Sequence, residues 1–90
     1  MSEPSKCVVY DNGTKYWHNE AGDFHRDGDL PAIEYAEGDK WWCVNGNLHR
    51  LLGPAVIWPD GYKAWWVDGK KIECTTQEEF ERLMKLRAFW

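Results

Sequence analysis

The chain contains an internal repeat of 23 to 25 residues, and this repeat constrains the fold more than any single residue does. Gly13, Gly38 and Gly61 each precede a tryptophan by four residues. Two copies then carry a His-Arg pair followed by a Pro-Ala step, at His25-Arg26 with Pro31-Ala32 and at His49-Arg50 with Pro54-Ala55. The third copy ends early, with Ile72 where the others have histidine. A period of this length predicts a stacked array of small units that presents a binding surface.

Short aromatic and β-branched segments lie between Asn-Gly, Asp-Gly and Glu-Gly pairs, which favour tight hairpins. With 90 residues there is room for one domain, 1–90. We therefore predict a mainly β fold in which 7–74 forms an antiparallel hairpin meander of about 2.5 repeats. The predicted strands are Cys7–Tyr10, Thr14–Asn19, Pro31–Tyr35, Lys40–Asn45, Ala55–Trp58 and Tyr62–Asp68.

The pattern changes after Cys74. Thr76-Gln77-Glu78-Glu79 is a capping-box sequence, and Phe80, Leu83 and Met84 follow at helical spacing. One C-terminal helix is expected within 76–88, from about Gln77 to Leu86 or beyond. We expect its apolar face to cap the sheet.

Composition and charge exclude several classes of protein. The chain has a net charge of -4 and no cluster of Lys and Arg in its sequence that resembles the basic stripe of a nucleic-acid-binding protein, so nucleic-acid binding is not expected. No segment reaches the roughly 20 apolar residues of a membrane span, so no membrane association is expected. Cys7, Cys43 and Cys74 are widely spaced and form no Cys-x-x-Cys pair, which favours reduced thiols and a cytoplasmic protein.

The aromatic residues exceed what one sheet face can bury. Strand alternation places Trp17, Trp42 and Trp65 on one face, and Trp41 and Trp66 on the other. Two interpretations remain open. Either a tightly curved sheet and the helix bury most tryptophans, or some of Trp41, Trp58, Trp66 and Trp90 form an exposed patch for a partner or a second copy.

The two His-Arg pairs also allow two interpretations. His25, Arg26, His49 and Arg50 could grip carboxylates or phosphates. Alternatively each histidine bonds to the backbone of a hairpin and each arginine pairs with a nearby acid. Asp27 follows Arg26 whereas Leu51 follows Arg50, so the sequence suggests that Arg50 is the less locally neutralised arginine.

No arrangement typical of catalysis is present, and an enzymatic role is not expected. His25 and His49 are predicted to lie about two strand spacings apart, which is long for two ligands of one zinc ion. There is no paired Cys motif, no glycine-rich phosphate loop, and no serine beside a candidate base. We expect no catalytic residues, no metal site and no cofactor.

One stretch carries a family resemblance. The pattern runs from Asn45-Gly46 through Leu48-His49-Arg50 to Gly53-Pro54-Ala55-Val56, then to Pro59-Asp60-Gly61 and Trp65. It resembles the MORN-like tandem repeats found in proteins of bacteriophages and large DNA viruses, and the likeness spans roughly Gly13 to Ile72. The first copy departs from it by inserting Asp29-Leu30. The resemblance implies a β-hairpin array and a non-enzymatic role.

Three functional hypotheses follow. The first is a small phage-encoded binding protein that blocks a host bacterial protein, for example as a counter-defence inhibitor in the host cytoplasm. Its contacts would come from Trp41, Trp58, Trp66, Trp90 and Arg50. The second is a sponge for a small nucleotide signal at a dimer interface, with rings stacking on bases and Arg26, Arg50 and the histidines meeting phosphates. The third is a structural repeat that only self-associates as a homo-oligomer.

Overall fold

The computed structural model describes residues 5–87 as nine short strands followed by one helix. The strands are β1 Lys6–Val9, β2 Lys15–His18, β3 Ile33–Glu34, β4 Lys40–Trp41, β5 Cys43–Val44, β6 Asn47–Leu48, β7 Val56–Ile57, β8 Lys63–Val67 and β9 Lys70–Ile72. The helix α1 spans Gln77–Arg87. The predicted mainly β fold with a C-terminal helix is confirmed. The structure adds two short strands, β6 and β9, and interrupts the fourth predicted strand at Trp42.

Two kinds of turn build the hairpins. Asn45-Gly46 and Asp68-Gly69 form two-residue loops in which both residues have positive φ, 49° and 87° in the first and 50° and 81° in the second. Longer turns repeat a different pattern, in which a glycine amide donates to the carbonyl three residues earlier. Gly38 donates to Tyr35 and Gly61 to Trp58, each at 2.9 Å. Backbone geometry therefore favours glycine in all four turns, and asparagine or aspartate at the first position of the two short loops.

Seven strands form one antiparallel sheet in the order β1-β2-β3-β4-β7-β8-β9, while β5 and β6 form a separate pair. Each repeat contributes one long strand that changes partner along its length. In the second repeat, Lys40 and Trp41 pair with β3 and β7, whereas Cys43 and Val44 pair with β6. In the second repeat the first half thus extends the main sheet and the second half forms a hairpin of its own, whereas the β8–β9 hairpin of the third repeat stays at the edge of the main sheet.

Hydrogen bonds between successive hairpins hold the repeats in a stack. The Gly46 amide donates to the Phe24 carbonyl, and the Gly69 amide donates to the Leu48 carbonyl, both at 2.9 Å. These two bonds occupy equivalent positions in successive repeats. The predicted repeat is therefore a physical unit that joins its neighbours through the backbone.

Buried side chains lie on both faces of the sheet, with Val56 on one face and Trp42 and Trp65 on the other. On the face of the two tryptophans, Ala32 and Ala55 are fully buried where the backbone of one repeat approaches the next. The amide of Trp42 donates to the Ala55 carbonyl at 2.7 Å. A side chain larger than alanine would separate these segments, which explains the recurring Pro-Ala step.

The helix closes the array at its C-terminal end. The Thr76 side chain accepts a hydrogen bond from the Glu79 amide at 3.1 Å, as expected for the predicted N-cap. Phe80 is only 1% exposed and packs with Trp65 and Val67. Because these two residues alternate with Trp66 along β8, the helix covers the face opposite Trp66.

The molecule is a thin slab with principal extents of 43 × 35 × 17 Å. The sheet is open in residues 5–87, because its two end strands, β1 and β9, do not pair with each other. In residues 5–87 no helix has the length and apolar character needed to cross a bilayer.

Candidate functional site

Each arginine of the repeated His-Arg pairs covers a tryptophan of its own repeat. The Arg26 guanidinium lies 3.6 Å from the centre of the Trp17 ring, and that of Arg50 lies 3.8 Å from the centre of the Trp42 ring. Each arginine also donates to a proline carbonyl at 3.1 Å, Arg26 to Pro31 and Arg50 to Pro54. The repeated Arg and Pro positions therefore form one contact set, in which a cation stacks on an aromatic ring.

The ion pairs differ from the sequence-based expectation. Arg50 binds both carboxylate oxygens of Asp29, at 2.8 and 3.1 Å. Arg26 approaches only one oxygen of Glu34, at 3.5 Å, and the adjacent Asp27 binds His25 instead. The prediction that Arg50 is the less neutralised arginine was wrong, because neighbouring hairpins rather than neighbours in the sequence bring these charges together.

The two histidines link each repeat to the next. Nδ1 of His25 accepts a hydrogen bond from the Asn45 amide, and Nδ1 of His49 accepts one from the Asp68 amide, both at 3.1 Å. Asn45 and Asp68 are the first residues of the two-residue turns. Each histidine thus holds the following turn in place, and its Nδ1 must be unprotonated to accept this bond.

The opposite face of the sheet carries a second set of aromatic side chains. Trp41 pairs directly with Ile33 and Val56, so these three side chains share one face. Ring contacts continue along this face, with centroid separations of 5.2 Å for Trp58 and Tyr62 and 5.6 Å for Tyr35 and Trp41. We call this surface the aromatic face; its aromatic residues are Tyr10, Tyr16, Phe24, Tyr35, Trp41, Trp58, Tyr62 and Trp66.

The aromatic face contains a groove of about 400 Å³. Side chains of Trp41 and Trp66 lie along it, together with Phe24, Ile33, Tyr35, Cys43, Asn47 and Leu48, and Gly46 and Gly69 complete its lining. None of these residues is charged, although 29% of the chain is Asp, Glu, Lys or Arg. The volume is within the range of small-ligand and side-chain pockets, about 300–1,000 Å³.

The adjacent tryptophans differ in how their indole N–H groups are satisfied. Trp42 donates to the Asp29 carbonyl at 3.1 Å, and Trp65 donates to the Gln77 side chain at 2.7 Å. In contrast, Nε1 of Trp41 and Nε1 of Trp66 are shielded from solvent and have no hydrogen-bond partner among residues 5–87. Both unsatisfied donors belong to residues that line the groove.

Cys43 is 4% exposed, and burial raises the pKa of its thiol to about 11. This thiol therefore remains neutral at physiological pH, like the other side chains that line the groove. Burial also raises the pKa of Cys74, with a smaller effect of the nearby Glu79 and Glu73 carboxylates. Cys7 is exposed on the edge strand β1, and the three cysteines are free thiols.

A smaller cavity of about 260 Å³ lies on the face opposite the groove. Arg26, Arg50 and His49 line it together with Asp27 and Asp29, and exposed leucines form its rim. The positive charges here already have acidic partners. Residues 5–87 contain no cluster of three or more His, Cys, Asp or Glu side chains arranged to hold a metal ion.

The predicted site residues fall into two groups. Trp41, Trp58 and Trp66 lie on the aromatic face and are half-buried, whereas Arg26 and Arg50 stack on Trp17 and Trp42 on the other face. His25 and His49 hold turns, and Trp90 lies outside the described residues. The prediction missed Phe24 and Tyr35, which complete the groove. Alternation along the chain could have placed both residues on the face of Trp41, but which side chains they meet in the groove depends on the strand register.

The chain matches no protein-family model, no curated protein and no solved structure. Its function is therefore inferred from the aromatic face, the groove and the contacts of the repeated residues.

Proposed function

We propose that this chain is a small non-catalytic binding protein that uses its aromatic face to bind a partner protein. The observation that carries this proposal is a sheet face rich in aromatic side chains, opposite the face that the arginines and the helix cover. Phe24 is 41% exposed and Tyr62 is 62% exposed on this face.

Interface chemistry supports this assignment. Protein-binding surfaces are enriched in Tyr, Trp and Phe and depleted in charged residues at their centre. Large aromatic anchors usually supply most of the binding energy. The aromatic face has this composition around Trp41 and Trp66, and the extents of 43 × 35 Å leave room for a standard interface of about 800 Å² per partner.

The resemblance to MORN-like repeats of bacteriophage proteins leads us to propose a bacterial host protein as the partner and occlusion of its working surface as the effect. A counter-defence inhibitor acting in the host cytoplasm is one such role. This part of the proposal rests on the sequence pattern around Leu48-His49-Arg50 and its proline-alanine continuation.

The nucleotide-sponge alternative receives less support from the geometry. At a two-fold dimer interface, which joins the same face of two copies, it requires stacking rings and phosphate-binding cations on one face of the chain. Trp41 and Trp66 lie on the aromatic face, but Arg50 lies over Trp42 on the other face and binds Asp29. Self-association remains an outcome of the experiment below, since a second copy is also a protein partner.

Affinity capture from bacterial lysate with matched variants tests the proposal. The aromatic-face variant combines Phe24→Ser with Tyr62→Ser, and the control combines Leu51→Ser with Leu52→Ser, which are exposed aliphatic residues beside the opposite cavity. We expect a stoichiometric partner that the control retains and the aromatic-face variant loses. The purified partner should then bind the wild-type chain directly in a calorimetric titration.

The reverse pattern, or equal capture by both variants, would contradict the proposal. Light scattering of the purified chain identifies the case in which the partner is a second copy. In that case the wild-type protein is a dimer and the aromatic-face variant is a monomer, while the leucine variant stays dimeric.

A further inference from the structure

We infer that the groove between Trp41 and Trp66 is the anchor pocket of this interface. Its occupant is one uncharged aromatic side chain of the partner, and carbonyl groups of the adjacent partner backbone accept hydrogen bonds from the two indole N–H groups. This inference rests on the proposed function and specifies the chemistry of the partner.

The lining determines the charge of the occupant. Aromatic, aliphatic, amide and thiol groups line the groove, and among residues 5–87 no carboxylate, ammonium or guanidinium group does. Burial keeps the Cys43 thiol neutral. A charged group entering this site would lose its hydration without gaining a partner of opposite charge, which is costly. The groove therefore selects an uncharged anchor.

The ring size of the occupant follows from the shape and lining. The volume of about 400 Å³ exceeds what a methyl or isopropyl group fills. Trp41, Tyr35 and Phe24 offer ring faces and edges, and aromatic pairs gain about 0.5–1.5 kcal/mol beyond the burial of their area. An aromatic side chain is large enough for this volume and can pack against the aromatic rings of the lining.

The unsatisfied indoles show where the partner needs acceptors. A buried donor without a partner costs about 1–3 kcal/mol. Within residues 5–87, a carbonyl and an amide oxygen satisfy the indoles of Trp42 and Trp65, whereas those of Trp41 and Trp66 have no acceptor. Because both donors are shielded from solvent, an acceptor reaches them only when the rings turn toward the groove, and the proposal includes this turn. An acceptor delivered with the anchor then recovers the cost.

Backbone carbonyls suit this role because they accompany any anchor side chain of a protein and carry no charge. A free anion or metal ion does not provide the aromatic surface. The occupant is therefore a peptide segment with an aromatic residue, in which ring and carbonyls enter together.

Four of the seven tryptophans provide internal controls for a direct test: Trp41 and Trp66 line the groove, and Trp42 and Trp65 lie on the other face. The full chain is labelled with 15N, and each indole N–H signal is assigned by single Trp→Phe substitutions. N-acetyl-phenylalaninamide serves as the probe, since it joins one aromatic ring to two carbonyl groups. N-acetyl-alaninamide has the carbonyls without the ring, and N-acetyl-lysinamide has a long charged side chain instead.

We expect saturable shifts of the Trp41 and Trp66 indole signals with the phenylalanine probe, at a millimolar dissociation constant. The Trp42 and Trp65 signals should stay in place, because Asp29 and Gln77 already accept their hydrogen bonds. The alanine and lysine probes should give at least about tenfold weaker binding, the loss expected when about 1.4 kcal/mol of anchor contact is removed. Equal shifts with all three probes, equal movement of all four indoles, or no shift would overturn the inference.

A groove-filling variant separates the pocket from the rest of the face. Leu48→Trp occupies the groove, and Leu52→Trp adds the same side chain on the opposite face, where Leu52 is 75% exposed. We expect only Leu48→Trp to lose binding of the probe. If Leu48→Trp fails to fold, as judged by its thermal unfolding, the comparison of the four indole signals decides the matter.

The two proposals can fail separately. Probe binding without any captured partner protein would leave the pocket in place and remove the proposed function. A captured partner that depends on Phe24 and Tyr62 but binds Leu48→Trp normally would retain the function and show that the groove is not its anchor site.

Discussion

Asp29 and Arg50 come from successive repeats, yet their side chains form a two-bond ion pair at 2.8 and 3.1 Å. Asp29 belongs to the two residues that the first repeat inserts before Pro31. Its carbonyl also accepts the indole N–H of Trp42. The insertion thus places two acceptors over the second repeat, one for the arginine and one for the tryptophan that the arginine covers.

This contact set predicts unequal effects of the two arginines on stability. Arg50→Ala removes the stacking on Trp42, the bond to Pro54 and both bonds to Asp29, so we expect a loss of about 2–4 kcal/mol. Arg26→Ala, the matched control, removes the equivalent stacking on Trp17 and the bond to Pro31, but only a single ion-pair contact at 3.5 Å, and should cost about 1–2 kcal/mol. Urea unfolding of both variants measures the difference. An equal loss would show that Asp29 contributes nothing through its carboxylate.

The histidines predict local changes in hydrogen exchange. His49→Ala leaves the Asp68 amide without its acceptor and should cost about 1 kcal/mol. Exchange of the Asp68 amide should then become faster, while that of Asn45 stays unchanged. His25→Ala should give the reverse pattern, because its Nδ1 accepts from Asn45. Amide exchange followed by NMR distinguishes the two. Faster exchange throughout the chain in either variant would contradict a local linking role.

Docking of the helix depends on one buried ring. Phe80→Ala should cost about 3–5 kcal/mol, because Phe80 is 1% exposed and packs with Trp65 and Val67. Glu78→Ala provides a control on the exposed side of the same helix and should change stability by less than about 0.5 kcal/mol. Thermal unfolding measures both. A small effect of Phe80→Ala would mean that the sheet does not need the helix as its cover.

The Cys43 thiol predicts a loss of stability at high pH. Burial raises its pKa from 9.0 to about 11 in the folded chain, so the unfolded chain releases this proton first as the pH rises. The free energy of unfolding should therefore fall between about pH 9 and pH 11, by about 2 kcal/mol from this group. Cys43→Ala should remove that part of the slope. Urea unfolding across this pH range checks it, and identical slopes in both proteins would contradict the assignment.

The groove was only partly predictable from the sequence. Alternation along the strands correctly separated Trp41 and Trp66 from Trp42 and Trp65, since side chains of successive residues point to opposite faces. Trp41 and Trp66 belong to different repeats, however, and the groove between them also requires Phe24 and Tyr35 from other segments. Strand register brings these side chains together, and register depends on contacts far apart in the sequence.

The sequence by itself determined the repeat, the hairpin turns and the helix start, because each depends on residues only a few positions apart. Asn45-Gly46 accepts positive φ, and Thr76 caps the helix, whatever lies elsewhere in the chain. Only the tertiary structure decided how the repeated His-Arg pairs are used and which indoles are satisfied. The reason is that the acceptors of Arg50 and Trp42 come from Asp29, more than ten positions away, and are brought close only when hairpins stack.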